Sequence, residues 1–116
     1  MHEMSIALSI IEAVDAKGRE EGCGKISEIA LLLGKLSGVE PAALRFCFSA
    51  AANGTLAENA RLAITEPEGV GECAECGARF PVTFFYAECP KCRSLCITII
   101  SGEEFMIQSI TIEEGE

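Results

Sequence analysis

From Met4 to Val14 the apolar residues recur at helical spacing. Met4, Ala7, Leu8, Ile11 and Val14 share one face, and Ser5, Ser9, Glu12 and Arg19 mark the polar one. The pattern predicts a core-packing helix over 4–21, punctuated by Gly22 and Gly24. Residues 25–36 fit two periods. Ile29, Leu31 and Leu33 alternate as in a strand, whereas Ile26, Ile29 and Leu33 also fit a helix. Short length and a glycine at each end favour a strand that stops near Gly34. Ser37 to Pro41 then leads into a second helix. Pro41 suits its first turn, Glu40 suits its cap, and Leu44, Cys47, Phe48 and Ala51 form its buried stripe. Asn53-Gly54 ends it.

Alternation returns from Leu56 to Thr65, with Leu62 and Ile64 on one face, and Pro67 to Gly71 breaks it as a hinge. Ile97 to Ile100 reads as a strand, Ser101-Gly102-Glu103 as a turn, and Phe105 to Ile112 as a last strand with Met106, Ile110 and Ile112 facing the core. The order predicts an α+β fold: a small mixed or antiparallel sheet with two helices and an inserted module before the final strand. Residues 1–68 and 103–116 would form the α/β domain, and 69–102 the insert. No repeat or low-complexity tract interrupts this plan.

The insert carries the sharpest chemical signal. Cys73-Ala-Glu-Cys76 is followed, after twelve residues, by Cys89-Pro-Lys-Cys92. Paired Cys-x-x-Cys knuckles at this separation point to one tetrahedral Zn²⁺ held by four thiolates, with no position left for water or substrate. A redox dithiol pair and an iron–sulfur or catalytic metal site are the competing readings. Gly77 follows the first pair, where backbone often needs a positive φ; Arg93 occupies the matching place in the second. Cys96 is expected on the next strand as a small buried residue.

Composition narrows the rest. At 116 residues the chain is one compact domain, or a small domain with an appended metal module. Seven cysteines, four of them in the knuckles and three scattered, do not resemble a secreted disulfide framework. With no signal-peptide start and no apolar run long enough to span a bilayer, the expected location is a reducing cytoplasm, away from membranes. A formal net charge of −9 argues against a nucleic-acid partner, which needs a basic surface. No nucleophile–base pair and no phosphate loop is visible, so the chain reads as a non-enzyme.

A second metal signal lies at the start, Met1-His2-Glu3. The only histidine stands at position two, where a free amine, an imidazole and deprotonated backbone amides suit the tetragonal geometry of Ni(II) or Cu(II). Taken alone, such a histidine is more often just solvated.

Met1-His2-Glu3-Met4-Ser5 opening an amphipathic helix, with the Cys73/Cys76/Cys89/Cys92 ribbon late in a chain of this size, closely resembles the HypA/HybF family, nickel metallochaperones of [NiFe]-hydrogenase maturation. Leu33-Gly34-Lys35-Leu36-Ser37 and the segment from Gly102 to Ile112 extend the likeness over the whole chain. The resemblance implies Ni²⁺ as the transferred ion, with His2 as its essential ligand through side chain and backbone nitrogen. Met1 contributes the terminal amine and Glu3 its amide or carboxylate. Glu40 falls where the family tends to have an acidic residue near the nickel, and a helix cap explains it equally well. The four cysteines match the family's structural Zn²⁺ ligands, and Arg93 stands where the family frequently has glycine. Implied partners are the maturation GTPase and the hydrogenase large-subunit precursor, with a homodimer among the open oligomeric states. A zinc-ribbon adaptor that binds only protein partners is the alternative.

Overall fold

The structure is a computed structural model that describes residues 3–84 and 86–114. Its elements are α1 (Glu3–Glu20), β1 (Cys23–Leu33), α2 (Pro41–Ala51), β2 (Arg61–Thr65), β3 (Val70–Cys73), β4 (Arg79–Pro81), β5 (Ile97–Ser101) and β6 (Phe105–Glu114). They form two three-stranded sheets, β2-β1-β6 and β4-β3-β5. The α+β class with an inserted ribbon therefore holds, and the ribbon brings a sheet of its own.

Contacts divide the chain into two units. The first comprises Met1–Leu31, Val39–Ile64 and Ile107–Glu116. Here α1 packs on α2, and the core is Ile6, Ala7, Ile10, Ile11 and Val14 with Ile26, Ile29, Leu31, Leu44 and Phe48. The buried stripe of α1 is rotated from the expected one. Ala7, Ile11 and Val14 are inside, but Met4 and Leu8 are exposed, because Ile6 and Ile10 supply the larger side chains at the centre of the stripe. Gly18 closes the face: a Cβ there would lie 2.9 Å from the Cys23 sulfur. On α2, Leu44 and Phe48 are buried as expected, while Cys47 and Ala51 are only half-buried.

The extended stretch expected from Leu56 starts later, at Arg61. Gly54 and Asn59 both adopt positive φ, 79° and 66°, so the backbone between them turns instead of extending. Leu56 is nevertheless fixed on both sides. Its N–H donates to the Asp15 carboxylate at 2.9 Å, and its carbonyl accepts from the Ile26 N–H at 2.8 Å. Asp15 also accepts from Arg19 Nε at 2.9 Å, so one carboxylate ties α1 to the turn before β2.

The second unit comprises Leu32–Gly38 and Thr65–Met106. The boundary differs from the expected one: residues 32–38, 65–68 and 103–106 pack with the ribbon. Hydrogen bonds explain why. Gly34 N–H donates to the Glu104 carbonyl at 2.8 Å, Lys35 N–H to Pro67 at 3.0 Å, and Leu36 N–H to Gly102 at 2.7 Å. The crossing is tight enough to require glycine, since a Cβ on Gly34 would sit 2.0 Å from the Gly102 carbonyl oxygen. The predicted break at 67–71 shortens to 67–69. Val70 already belongs to β3, which pairs antiparallel with β4 (Gly71↔Phe80, Glu72↔Arg79) and β5 (Glu72↔Thr98, Cys73↔Ile97).

The last strand contradicts its expected facing. Met106 is 52% exposed and Ile112 41%, and Ile110 is half-buried. β6 closes one edge of its sheet and outruns the core; only its middle, Ile107 to Ile110, lines a cleft with Ala13 and Val14 of α1.

The hydrogen bond from Arg19, then that from Leu56, holds the Asp15 carboxyl below its ordinary range. A depressed folded value means that ionised Asp15 stabilises the fold above its unfolded pKa, and the effect disappears as pH falls through the folded value. Asp15→Asn should therefore lower stability by about 1 kcal/mol at neutral pH. The gap should close in acid below the ordinary carboxylate range; urea titrations at a series of pH values measure it.

Candidate metal centre

The two knuckles fold as structural repeats. Cys73 N–H donates to the Ala78 carbonyl and Cys89 N–H to that of Ser94, each at 2.9 Å. Gly77 N–H and Arg93 N–H donate back to the carbonyls of Cys73 and Cys89, again at 2.9 Å. Within each turn the second cysteine's N–H points at the first cysteine's sulfur: Cys76 to Cys73 Sγ and Cys92 to Cys89 Sγ, both at 3.4 Å. This turn demands a left-handed residue after the second cysteine. Gly77 meets it at φ 75° and Arg93 at φ 62°. The second knuckle thus keeps the geometry of the first despite its side chain.

The repeats converge. Cys73 and Cys92 sulfurs lie 3.5 Å apart, as do those of Cys76 and Cys89, and all four lie within 4.8 Å of one another. Zn–S bonds of ~2.3 Å at tetrahedral angles require sulfurs ~3.8 Å apart. The quartet fits that ion, and its thiol chemistry suits zinc; none of the seven cysteines is in a disulfide. Cys73 and Cys89 are buried and Cys76 and Cys92 reach the surface. The N–H···S bonds favour the ligating thiolate form at the buried pair. The Cys76 N–H lowers Cys73, and the Cys92 N–H brings Cys89 down to about 6. At Cys92 the Ser94 N–H pulls down, but the neighbouring thiols and burial outweigh it and push the group up to about 12. Bound zinc would replace these thiol–thiol interactions and hold all four as thiolates. Four sulfurs complete the sphere, so the ion would serve the fold.

Cys96 stands apart from the quartet. It is exposed, not buried, and precedes β5, where its carbonyl accepts the Ala74 N–H at 2.9 Å. That bond, which sequence reasoning missed, fastens the first knuckle to the strand after the second. The matched carbonyls of Ala78 and Ser94 were missed as well; the equal offset of both residues from their knuckles is the only trace they leave in the sequence.

Met1 and His2 lie outside the described residues. Glu3 begins α1 and is half-buried in its first turn, where the helix dipole favours a carboxylate. Glu40 is the N-cap of α2, and its carboxylate accepts the Ala42 N–H at 3.2 Å. The capping role expected for it is present.

A family-wide sequence profile described as "Hydrogenase/urease nickel incorporation, metallochaperone, hypA" matches residues 1–112. The chain belongs to the HypA family. It is 69% identical over 114 residues to the hydrogenase maturation factor HypA of Pelodictyon phaeoclathratiforme, covering 98% of this chain and 97% of the relative. The corresponding factor of Chlorobium limicola is 64% identical over 116 residues, covering all of both chains. Among solved structures, the solution structure of the Ni metallochaperone HypA from Helicobacter pylori aligns with a TM-score of 0.69 at 25% identity, over 99% of this chain and 100% of that one. A second solution structure of a HypA protein aligns with a TM-score of 0.72 at 24% identity, over 97% and 96%, and attests the shared fold.

Two outcomes test the zinc centre. Stripping the ion with a strong chelator should unfold the segment from Glu72 to Cys96, because metal-binding energy there is folding energy. Amide exchange should rise sharply in that segment and little in α1, β1 and α2. Arg93→Gly should relieve a left-handed residue and stabilise the zinc-loaded ribbon by about 0.5–1 kcal/mol, less what glycine adds in unfolded-state entropy. The chelator concentration at half-release of zinc reads this out.

Proposed function

We propose that the chain binds Ni(II) through Met1, His2 and Glu3 and delivers it for maturation of [NiFe]-hydrogenase, with the Cys73/Cys76/Cys89/Cys92 zinc as its structural support. The family match, which begins at residue 1 and runs through the ribbon to residue 112, carries this reading. Nitrogen donors at a chain terminus suit a site that must release its ion, since few groups have to rearrange to let it go. Glu40 is a further candidate donor, in addition to its cap. The finer parts of the reading are the recipients and the setting: a maturation GTPase that supplies or licenses the metal, the hydrogenase large-subunit precursor that receives it, and a cytoplasmic location, with a homodimer among the forms in which it acts. Its charge of −9 disfavours nucleic acid, and no helix among the described residues is long and apolar enough to cross a membrane. The role is that of a carrier and not of a catalyst. A ribbon adaptor without nickel is the weaker reading, because the matched family is one of nickel incorporation.

Calorimetric nickel titration tests the site. Any residue added before Met1 converts the amine into an amide and displaces His2, so tight binding should vanish while zinc content stays constant. His2→Ala should do the same, as the chain has no other histidine. Glu40→Gln should weaken binding less than either. Affinity should fall with pH, because protons compete for every nitrogen donor. Equal nickel affinity in the extended and native proteins would remove the terminal site from this account.

A further inference from the structure

The ribbon carries a second recognition feature, apart from the zinc ligands and from the nickel reading. Between β4 and the second knuckle the chain forms an open cleft of about 450 Å³, walled by Phe80, Pro81, Phe84, Tyr86, Glu88 and Pro90. Phe80 is half-buried against Gly71, but the other two aromatic groups described on its wall are exposed. Phe84 is 63% exposed and Tyr86 89%, although the chain has only seven aromatic residues in all. Exposed rings grouped on one wall mark a contact surface more often than chance exposure does.

Geometry and charge choose the occupant. The Phe84 and Tyr86 ring centroids lie 6.5 Å apart with planes inclined by 29°. A cation is attracted to an aromatic face within about 6 Å of its centroid, so one cationic group can lie within reach of both rings. Glu88 supplies a carboxylate on the same cleft, and among the described residues none of the ion pairs engages it. The cation nearest in sequence to the first wall does not fill the place: Arg79 is held by Glu72 at 2.8 Å. A planar guanidinium answers both demands, since it stacks on rings and offers a two-pronged donor to a carboxylate, which an ammonium does not. The net charge of −9 favours the approach of a basic segment and opposes that of a phosphate backbone.

We propose that this cleft docks an arginine side chain presented by an extended segment of a partner protein, stacked against Phe84 and Tyr86 and paired with Glu88. The Val82 N–H, bonded to the Gly69 carbonyl at 2.9 Å, and the knuckle at Cys89 brace the walls on either side, so the site is formed before the partner arrives.

The test uses the full zinc-loaded chain. Tyr86 is its only tyrosine and it has no tryptophan, so its intrinsic fluorescence reports from the cleft itself. The probe is a blocked pentapeptide Ala-Pro-Arg-Pro-Ala, with lysine and citrulline versions as comparisons. The arginine peptide should change Tyr86 emission saturably at millimolar concentration. Lysine should bind more weakly, and citrulline, equally planar but uncharged, weakest. Glu88→Gln, an exposed change that leaves the fold untouched, should weaken the arginine peptide about threefold. Phe84→Ala, with zinc content checked, should weaken it about tenfold. Equal response to arginine and citrulline overturns the proposal, as does affinity unchanged in Glu88→Gln. A Tyr86 response that follows protein concentration instead of peptide would make a second copy the occupant and also overturn it.

Discussion

Four sulfurs within 4.8 Å of one another impose the strictest condition in this molecule. As thiolates they would repel: two unit charges at 4 Å interact by about 1 kcal/mol even in bulk water, and by about 4 kcal/mol near a protein surface. A divalent ion at their centre turns that repulsion into the strongest local attraction. The second unit follows from this condition. β4 has three residues and β3 four, too few for a sheet to persist unaided. Cys73 is at once the end of β3 and a member of the quartet, so the strands are pinned where the metal chemistry lies.

The first unit rests on ordinary burial. Isoleucines of α1, Ile26, Ile29 and Leu31 of β1, and Leu44 and Phe48 of α2 exclude water without help from any ion. The two supports are physically different, and they answer to different agents. Chelators act on one and denaturants on both. A carrier gains from this separation, since losing or exchanging metal at one place leaves the hydrophobic core of the first unit intact.

Much of this was legible in the sequence because the signals were periodic or chemically exclusive. The helix of α1 follows from spacing, the cap of α2 from Glu40-Pro41, and the quartet from two identical spacings. What escaped was set by tertiary context. Period placed Met4 and Leu8 on the apolar face, but Ile6 and Ile10 took the centre of it. The extended reading from Leu56 rested on Leu62 and Ile64, and left-handed backbone at Asn59 confines the strand to their neighbourhood. The unit boundary escaped because main-chain bonds at Gly34 and Leu36 decide it, and such bonds leave no mark in side-chain pattern. Of the residues proposed for nickel, Glu3 and Glu40 are placed at helix starts, and the likeness of Met1 and His2 to the family's first residues is a matter of sequence.

The exposure of β6 has a consequence for the molecule as a colloid. Edge strands are commonly guarded by lysine, whose charge discourages another strand from adding on. Here no lysine or arginine follows Arg93, and β6 is instead bracketed by carboxylates, Glu103 and Glu104 before it and Glu113 near its end. The sequence pI is about 4.6, so near that pH the chain loses its net repulsion while Met106 and Ile112 stay uncovered on an open edge. An apolar edge with no net charge to guard it favours the association of copies, so β6 is the strand from which acid precipitation is expected to begin.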